Sequence, residues 1–362
     1  MHEQKRKECS MSLTLCAVIP NVNDATSFYR AIGPFGNLKM LTDEKIGIAM
    51  PSPFSELMAL GYRGAFFQRP NSKDHLQALE MCQDAGTPIW VDYDDFLFMV
   101  PSDNPAFKTF NKPERQKLVK KAVESANVLT VSTHKLAEYL KPLNNNVLVI
   151  PNALNDRLLV HRPKKMPKRN PLICWRGSPT HHRDVLSVQE EIISVARDPE
   201  FSSWTWNFFG DNLWFVTDFT PHEKTIWHEP IPMFMYHKVL IKVAPSVMIV
   251  PLSDNPFNRC KSNIAWLEAA YAGAITIAPD WPEWQKPGVL NYCDAKQFKE
   301  KLELVMRGGV DIEQMAGEAW EYIMDNLRLS KVNEMRKNTI CALTGTDPSE
   351  IPWRPENVLR QK

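Results

Sequence analysis

The sequence lacks an apolar run of the length that a membrane span requires. Its longest apolar runs are strand-length, whereas a transmembrane helix needs about 20 consecutive apolar residues. The N-terminal segment begins with charged residues, and its apolar part contains Ser and Thr and reaches Pro20 without a small-residue cleavage site. We therefore predict a cytoplasmic protein with neither a membrane span nor a signal peptide.

The sequence also has almost no net charge and no closely spaced pair of cysteines. Its 43 Lys and Arg and 42 Asp and Glu give a net charge of +1. With so little net charge, the protein as a whole is not attracted electrostatically to nucleic acid or to an anionic membrane. Local patches of positive charge are not excluded by this balance. The seven cysteines are odd in number and scattered, without a CxxC pair. This spacing argues against a disulfide framework or a structural zinc site and fits a reducing compartment.

What the sequence does contain is an alternation of strand-like and helix-like segments in two halves. Its 362 residues are 44% hydrophobic and 23% charged, which is typical of a soluble globular protein of roughly two domains. The halves meet at 161–171, which has three prolines, five Lys or Arg and no apolar pattern. We predict an α/β fold of two Rossmann-like domains over 1–160 and 172–328, joined by this linker, with a C-terminal helix and tail over 329–362.

The stretch 248–279 joins two apolar runs through a polar loop and a helical pattern. The first apolar run ends at Val250, polar residues continue to Arg259, and a helical pattern then runs from Lys261 to Gly273. This order predicts a parallel βαβ unit. In open sheets of this kind, ligands bind beyond the carboxyl ends of the strands, where the polar loop lies.

The start of this helix has the residues of an anion site. Ser262 is predicted to cap the helix, and the free N–H groups of its first turn would bind a phosphate together with the Lys261 ammonium. Glu268 lies about two turns further along at roughly 3.6 residues per turn, where its carboxylate can accept both ribose hydroxyls. The alternative is an ordinary amphipathic crossover helix with Lys261 solvated.

Polar residues follow other predicted strands as well. In the first half, Tyr29 and Arg30 come after the first strand and are either an exposed helix start or contacts to a sugar or phosphate. His134 comes after the predicted strand 128–131 and is either structural or a contact in the cleft.

The second half has three such candidates. Residues 176–178, Arg-Gly-Ser, form a predicted tight turn where backbone and hydroxyl groups can approach a phosphate. His181 and Asp184 begin the next helix, where Asp184 is equally well explained as a first-turn dipole carboxylate. Residues 209–212 follow the next strand and are candidates for contacts to a nucleobase.

Several of these segments resemble motifs of one glycosyltransferase family. The segment DNPFNRCKSNIAWLEAAYAG at 254–273 resembles the donor-binding segment of two-Rossmann (GT-B) glycosyltransferases of the bacterial and phage type, in the glycosyl transferases group 1 superfamily. The strings YDDFLF and IPN of the first half and the Gly-Ser-x-Thr-His-x-x-Asp pattern at 177–184 resemble the same family. The resemblance implies two domains facing across a cleft, with the C-terminal helix packed back towards the first.

The resemblance also implies roles. Lys261 would hold the diphosphate of a UDP- or GDP-sugar and Glu268 its ribose, with no prosthetic group. Many retaining members carry a second Glu eight residues before the ribose Glu, and here that position is Cys260, so the stereochemical outcome stays open. The acceptor is a glycan, a small molecule or a modified DNA base, and five cations between Lys112 and Lys121 keep DNA in consideration. The sugar, a hexose or a pentose, and the oligomeric state also stay open.

The acidic cluster Asp92, Asp94 and Asp95 supports a rival hypothesis. Such a DxD motif after a strand is what metal-dependent, single-Rossmann (GT-A) glycosyltransferases use to hold Mg²⁺ or Mn²⁺, because hard cations prefer carboxylate oxygens. Otherwise these carboxylates bind sugar hydroxyls or order the next loop. A third hypothesis is a nucleotide-sugar binding protein that has lost its catalytic group, suggested by Cys260.

We predict a glycosyltransferase that moves a sugar from a nucleotide-sugar to an acceptor without a metal. The predicted catalytic residues are Lys261, Arg176 and Asp94. The predicted donor-binding residues are Gly177, Ser178, Phe209, Gly210, Asp211, Asn258, Lys261, Ser262 and Glu268. The predicted acceptor-side residues are Tyr29, Arg30, Asp92, Asp95, His134 and His181.

Overall fold

The computed structural model describes residues 14–42, 45–211 and 224–354. The predicted N-terminal tail, Asn212 of the candidate nucleobase loop and the end of the C-terminal tail lie outside these residues. Within them, the chain forms two parallel six-stranded sheets surrounded by helices. The predicted fold of two α/β domains is confirmed.

The first sheet is built from short apolar strands in the first half of the chain. Its strands are β1 (Leu15–Val18), β2 (Ile46–Ala49), β3 (Ala65–Gln68), β4 (Ile89–Tyr93), β5 (Val128–Val131) and β6 (Val147–Val149). They pair in parallel in the order β2-β1-β3-β4-β5-β6. The inner strands β1, β3, β4 and β5 are buried along their whole length, because helices cover both faces of a parallel sheet.

The second sheet repeats this design and contains the point at which its strand order reverses. Its strands are β7 (Leu172–Gly177), β8 (Thr205–Gly210), β9 (Thr225–His228), β10 (Val247–Ile249), β11 (Ile275–Pro279) and β12 (Val289–Tyr292). The order is β12-β11-β10-β7-β8-β9, with all pairs parallel. The sheet therefore grows in opposite directions from β7 and β10, and a ligand crevice is expected beyond the carboxyl ends of these two strands.

Helices connect the strands of both sheets. The first half contains Ala25–Ser27, the π-helical Phe28–Ile32, Gly33–Leu41, Glu56–Leu60, Lys73–Asp84, Phe107–Phe110, Pro113–Ser125 and His134–Leu140. The second half contains His182–Leu186, Gln189–Arg197, Met233–Val243, Pro256–Arg259, Ile264–Ala272, Ala295–Met306, Ile312–Asn326 and Leu329–Thr344. Short 3₁₀ turns occupy Asp156–His161, Pro179–His181, Pro199–Phe201, Pro282–Trp284 and Pro348–Glu350. Among the helices of the described ranges, none combines the length and the hydropathy that a bilayer crossing demands.

The βαβ unit predicted over 248–279 is present, but its polar loop is more ordered than the sequence suggests. A short helix, Pro256–Arg259, lies within the loop. The side chain of Asn255 caps this helix by accepting a hydrogen bond from the Asn258 amide at 2.8 Å. The Asn-Pro pair explains this start, since Asn favours the N-cap and Pro the first helical position.

The predicted capping role of Ser262 is wrong. The main helix of the unit, Ile264–Ala272, begins two residues later, with Asn263 in the N-cap position. The Ser262 hydroxyl instead accepts a hydrogen bond from Asn152 Nδ2 at 2.8 Å, which joins the two halves of the chain. The helix ends as predicted at Gly273, which adopts the left-handed φ of 77° that glycine tolerates without a Cβ clash.

The last long helix, Leu329–Thr344, packs against the first domain. Its apolar side chains join an apolar cluster with residues of β1 and of the helix Gly33–Leu41. The buried Asp156 fixes the crossover by accepting hydrogen bonds from Arg328 and from the amide and hydroxyl of Ser330. The end of the second domain is therefore tied to the first domain.

One buried histidine predicts an acid-sensitive first domain. Burial lowers the pKa of His75 from 6.5 to about 4. The unfolded chain therefore binds this proton at a higher pH than the folded protein does, and stability falls as the pH drops from 6.5 towards 4. We expect wild-type protein to lose up to about 3 kcal/mol of unfolding free energy in this range that His75→Leu does not lose.

Urea denaturation at pH 7 and pH 4.5 measures this difference. His134→Leu is the matched control, because His134 is exposed on the same domain. An equal loss of stability on acidification in wild type and His75→Leu would contradict the assignment.

Candidate active site in the interdomain cleft

A cavity of about 530 Å³ lies between the two sheets. It is lined by residues that follow the carboxyl ends of β1, β3 and β4 in the first domain and of β7, β8, β10 and β11 in the second. Both strands at the reversal of the second sheet, β7 and β10, contribute to it. The cavity therefore occupies the crevice that the topology predicts.

Lys261 enters this cavity from the loop before the helix Ile264–Ala272. Its Nζ lies 3.5 Å from Asp95 Oδ1 of the first domain and 4.6 Å from the centre of the Phe257 ring. The first residues of the helix, Ile264 and Ala265, also line the cavity. Because the first amides of a helix have no intrahelical acceptor, the ammonium and these amides together form a place for an anion.

Glu268 is buried in the same cavity wall and contacts three side chains. Its carboxylate lies 2.8 Å from Arg176 Nε and accepts hydrogen bonds from the hydroxyls of Tyr29 at 2.8 Å and Tyr236 at 3.3 Å. The Tyr29 hydroxyl also lies 3.1 Å from His237 Nε2. Since Tyr29 belongs to the first domain and the other residues to the second, Glu268 anchors a polar contact between the domains.

Burial and these contacts set the protonation states of Tyr29, Tyr236 and Arg176. Burial and then the Glu268 charge raise the pKa of Tyr29 and Tyr236 well above the ordinary tyrosine range, so both stay neutral donors. Burial lowers the pKa of Arg176, but the Glu268 carboxylate outweighs this effect and the net pKa is raised. Arg176 is therefore a permanent cation in the cavity wall.

The first-domain wall of the cavity carries an arginine between two carboxylates. Arg69 Nη2 lies 2.7 Å from Asp94 Oδ1 and 2.6 Å from Asp95 Oδ2. Its backbone has the left-handed φ of 46°, which is costly for a residue with a Cβ. Burial raises the pKa of Asp94, whereas at Asp95 the effect of burial is outweighed by Lys261 and Arg69, which lower the pKa. Asp95 is therefore ionised at neutral pH.

The end of β7 brings backbone close to the cavity, although Arg176 and Gly177 belong to the strand itself and not to the tight turn predicted at 176–178. Gly177 and Ser178 line it, and the Ser178 hydroxyl lies 2.6 Å from that of Thr180. Gly210 pairs with Gly177 at the end of β8 and has a φ of 88°, and a Cβ there would overlap the Gly177 carbonyl. His181 also lines the cavity, and its Nδ1 lies 3.0 Å from Asp184 Oδ2. This segment leaves amide and hydroxyl groups within reach of a ligand.

An aromatic group forms part of the second-domain wall of the cavity. The ring of Phe209 stacks on His228 at 4.3 Å with an interplanar angle of 6° and meets Tyr236 edge-on at 5.4 Å. Phe209 lines the cavity together with Ile231 and Met233. This wall offers the apolar surface that a planar base needs.

Arg30 and Asp92 do not reach the cavity, which corrects two predicted acceptor contacts. Arg30 is 1% exposed, and it bonds both Asp92 oxygens, through Nε at 3.0 Å and Nη2 at 2.6 Å. Its Nη1 donates to the Ile150 carbonyl at 2.6 Å. Both the predicted ligand contact and the predicted exposed helix start are wrong for Arg30, because it is a buried structural cation.

Three other predicted contacts also lie outside the cavity wall. His134 is exposed at the start of its helix. Asn258 is buried and donates to Asp184 Oδ1 at 2.6 Å, so it holds the carboxylate of Asp184 in place. Asp211 follows Gly210, and its carboxylate lies 2.7 Å from His182 Nε2. None of the three lines the cavity.

The acidic cluster does not fit a metal site. Asp92 is bound to Arg30, and Asp94 is bound to Arg69, so arginines occupy the positions next to the carboxylates. Among the described residues, no group of three or more His, Cys, Asp or Glu side chains is arranged to hold a metal ion. The rival hypothesis of a DxD metal site therefore lacks a suitable ligand set.

Two residues of the site were missed by sequence reasoning. Arg69 follows β3 directly at the edge where ligands bind, and this position is the signal that could have identified it. Tyr236 lies within the helix Met233–Val243, and its contact with Glu268 comes from tertiary packing that no local pattern indicates.

Comparison with known proteins identifies the fold. No family model and no curated protein matches the sequence. Solved structures do match: Anabaena Alr3699/HepE in complex with UDP and glucose has a TM-score of 0.62 at 11% identity, covering 91% of this chain and 99% of HepE. An E. coli trehalose-6-phosphate protein bound with UDP-2-fluoro glucose has a TM-score of 0.62 at 10% identity, covering 92% and 99%. The chain has the GT-B fold.

A third GT-B structure is longer. S. aureus TarM matches with a TM-score of 0.57 at 13% identity over 86% of this chain, which spans 58% of the TarM chain. In the GT-B arrangement, two Rossmann-like domains face each other, and the cavity described above lies where they meet. At these identities the likeness establishes architecture, so the activity has to be argued from the cavity.

Proposed function

We propose that the protein is a glycosyltransferase that binds a nucleotide-sugar in the interdomain cavity and transfers its sugar to an acceptor hydroxyl. The observation that carries the proposal is the convergence of Lys261, Arg176 and the first turn of the helix Ile264–Ala272 on one cavity. These groups supply positive charge where a GT-B fold places its crevice. A nucleoside diphosphate is the leaving group that such a wall suits.

The ion pairs of Lys261 and Arg176 indicate how a diphosphate would contact each of these two cations. Lys261 and Arg176 are both held by carboxylates across short distances, Asp95 and Glu268 respectively. A diphosphate entering the cavity competes with Asp95 for Lys261, whose 3.5 Å contact is the looser of the two. Arg176 stays oriented by Glu268 and meets the diphosphate from the other side.

Glu268 and Phe209 then account for the nucleoside. The proposed role of Glu268 as acceptor for ribose hydroxyls has to coexist with its bonds to Tyr29 and Tyr236. Phe209 lines the same cavity, and since its ring is already stacked on His228, we propose that its remaining apolar surface contacts the base. The UDP ligands in HepE and in the E. coli structure support a uridine nucleotide here and a hexose as the sugar.

The chemical step needs a stabilised leaving group and a proton acceptor. The acceptor oxygen forms a bond to the anomeric carbon, and the bond from that carbon to the phosphate oxygen breaks with its electron pair leaving on the diphosphate. Lys261 and Arg176 stabilise this charge in the cavity between the two domains. The hydroxyl proton passes to a carboxylate, and Asp94 and Asp95 are the carboxylates of the first-domain wall.

A thermal-shift screen of nucleotides and nucleotide-sugars tests the proposal. A ligand at 100 times its dissociation constant stabilises a protein by about 2.7 kcal/mol. We expect UDP and at least one UDP-sugar to raise the unfolding midpoint by several degrees and uridine without phosphate to have little effect, because Lys261 and Arg176 bind the diphosphate.

Two arms of the same experiment address the alternatives. Release of nucleoside diphosphate from the stabilising donor separates an enzyme from a binding protein without catalysis. Unchanged release in the presence of EDTA separates metal-independent transfer from a reaction that depends on Asp94 and a metal. Absence of stabilisation by every nucleotide-sugar would contradict the proposed function itself.

A further inference from the structure

The first-domain side of the cavity has an apolar wall made by one segment. Residues 96–111, here named the strap, connect β4 to the helix Pro113–Ser125. The strap contributes Leu97, Val100, Asn104, Ala106 and Phe110 to the cavity lining, four of them apolar. Its charged residues, Asp103 and Lys108, are not part of the lining.

The strap is fixed in place. Gln116 Nε2 donates to the carbonyls of Leu97 at 3.0 Å and Phe110 at 2.6 Å, which ties both ends together. Asn104 Nδ2 donates to the Thr180 carbonyl of the second domain at 3.1 Å. Asn104, the polar strap residue of the cavity lining, is therefore already hydrogen-bonded to the second domain. The other strap residues of the lining are apolar.

The polar groups next to the strap disfavour an anionic ligand. The strap follows directly on Asp94 and Asp95, which place carboxylates at the edge of the apolar wall. Arg69, the cation of this side of the cavity, is bound to both of them. Once Lys261 is engaged by the donor diphosphate, a phosphate of the acceptor would meet two carboxylates that share Arg69 as their cation.

We propose that the strap is the acceptor subsite and binds an uncharged acceptor with an apolar body beside the reacting hydroxyl, such as an alkyl or aryl glycoside. This inference rests on the proposed function, since it assigns the second substrate of the same site. The hydroxyl lies at Asp94 and Asp95, and the apolar group lies on Leu97, Val100 and Phe110.

The same observations argue against a DNA acceptor. The helix Pro113–Ser125 carries most of the predicted basic cluster, but Lys121 pairs with Glu80 at 2.6 Å and Lys120 with Glu124 at 3.6 Å. Nucleic-acid binding depends on cations that exchange counterions for phosphates. The strap between this helix and the cavity adds apolar surface rather than positive charge.

Acceptor pairs that differ in one group test the assignment. The assay measures donor-dependent release of nucleoside diphosphate with each acceptor. The acceptors are the hexyl and methyl glycosides of glucose, galactose and mannose, sugar 6-phosphates, and an oligonucleotide with hydroxymethylated cytosine. Binding of the same compounds is measured by tryptophan fluorescence in the presence of UDP. We expect kcat/KM for the preferred hexyl glycoside to exceed that of its methyl partner at least tenfold, with no turnover of the phosphates or the oligonucleotide.

Variants of the strap complete the test. Phe110→Ala should raise KM for the hexyl glycoside about tenfold, or about 1.4 kcal/mol, with kcat and the donor KM unchanged. Phe110→Leu should retain most of the affinity, and Met99→Ala should have no effect, because Met99 is half-exposed on the strap but outside the cavity lining.

Three outcomes would overturn the proposal. They are equal kcat/KM for hexyl and methyl partners, preference for a phosphorylated or DNA acceptor, and donor hydrolysis without binding or turnover of any hexyl glycoside. Failure of the proposed function is a different result, in which no nucleotide-sugar stabilises the protein or is cleaved.

Discussion

Lys261→Ala is expected to lower the turnover number about 100- to 1,000-fold, the range measured when one preorganised group that stabilises transition-state charge is removed. The leaving diphosphate gains negative charge as the sugar departs, and the Lys261 ammonium lies in the cavity beside the first turn of the helix Ile264–Ala272. Arg176 and the helix amides remain in the variant, so residual turnover is expected rather than none. Steady-state release of nucleoside diphosphate measures the effect.

The fold should tolerate this change. The side chains of Lys261 and Asp95 are both partly exposed, and the loss of Lys261 leaves Asp95 bound to Arg69. Lys296→Ala is the control for loss of a lysine elsewhere in the second domain, because Lys296 is largely exposed. Lys261→Arg should recover part of the rate by keeping the charge. Turnover equal to wild type in Lys261→Ala, with an unchanged unfolding midpoint, would refute the proposed role.

Arg30→Ala is expected to lower the free energy of unfolding by about 3–5 kcal/mol, the cost of leaving one partner of a buried ion pair without the other. Asp92 is buried and accepts from both Arg30 and the Thr130 hydroxyl, so the variant leaves a carboxylate in the apolar interior with one partner. The Arg30 bonds to Ile150 and Asn152 are lost as well, which loosens the end of the first domain.

Chemical denaturation measures this loss, and kinetics distinguish its cause. Arg157→Ala is the matched control, because Arg157 is exposed in the same domain, and we expect a change within about 0.5 kcal/mol there. Asp92→Asn in the Arg30→Ala background should recover part of the stability by removing the buried charge. If Arg30 contacted a substrate instead, the folded variant at low temperature would lose kcat/KM without losing stability.

The prediction of strands succeeded because burial on both faces leaves a clear mark on the sequence. Val128–Val131 has the predicted bounds, since it is a short, mostly apolar run between Asn127 and Ser132. Helix ends marked by glycine were also predicted correctly, as at Gly273, where the backbone requires a positive φ. Such features depend on a few neighbouring residues.

Helix starts were harder to predict. Ser262 and Asn263 are both good N-caps, so the sequence alone does not choose between them. Asn152 of the first domain donates to Ser262, and the short helix Pro256–Arg259 shifts the chain before it. The helix start was therefore set by contacts with residues distant in the sequence.

The sequence by itself determined the two α/β halves, the strand ends that carry polar residues and the position of Glu268 on the helix that follows Lys261. Only the tertiary structure decided which polar residues face the cavity. Arg30 and Arg69 both follow a strand, but Arg30 is buried away from the cavity, whereas Arg69 lines it. The physical reason is that a local pattern fixes where a side chain begins, whereas its burial and its partner are fixed by residues from other strands. Arg30 forms a buried ion pair with Asp92, and Arg69 forms ion pairs with Asp94 and Asp95 in the cavity wall.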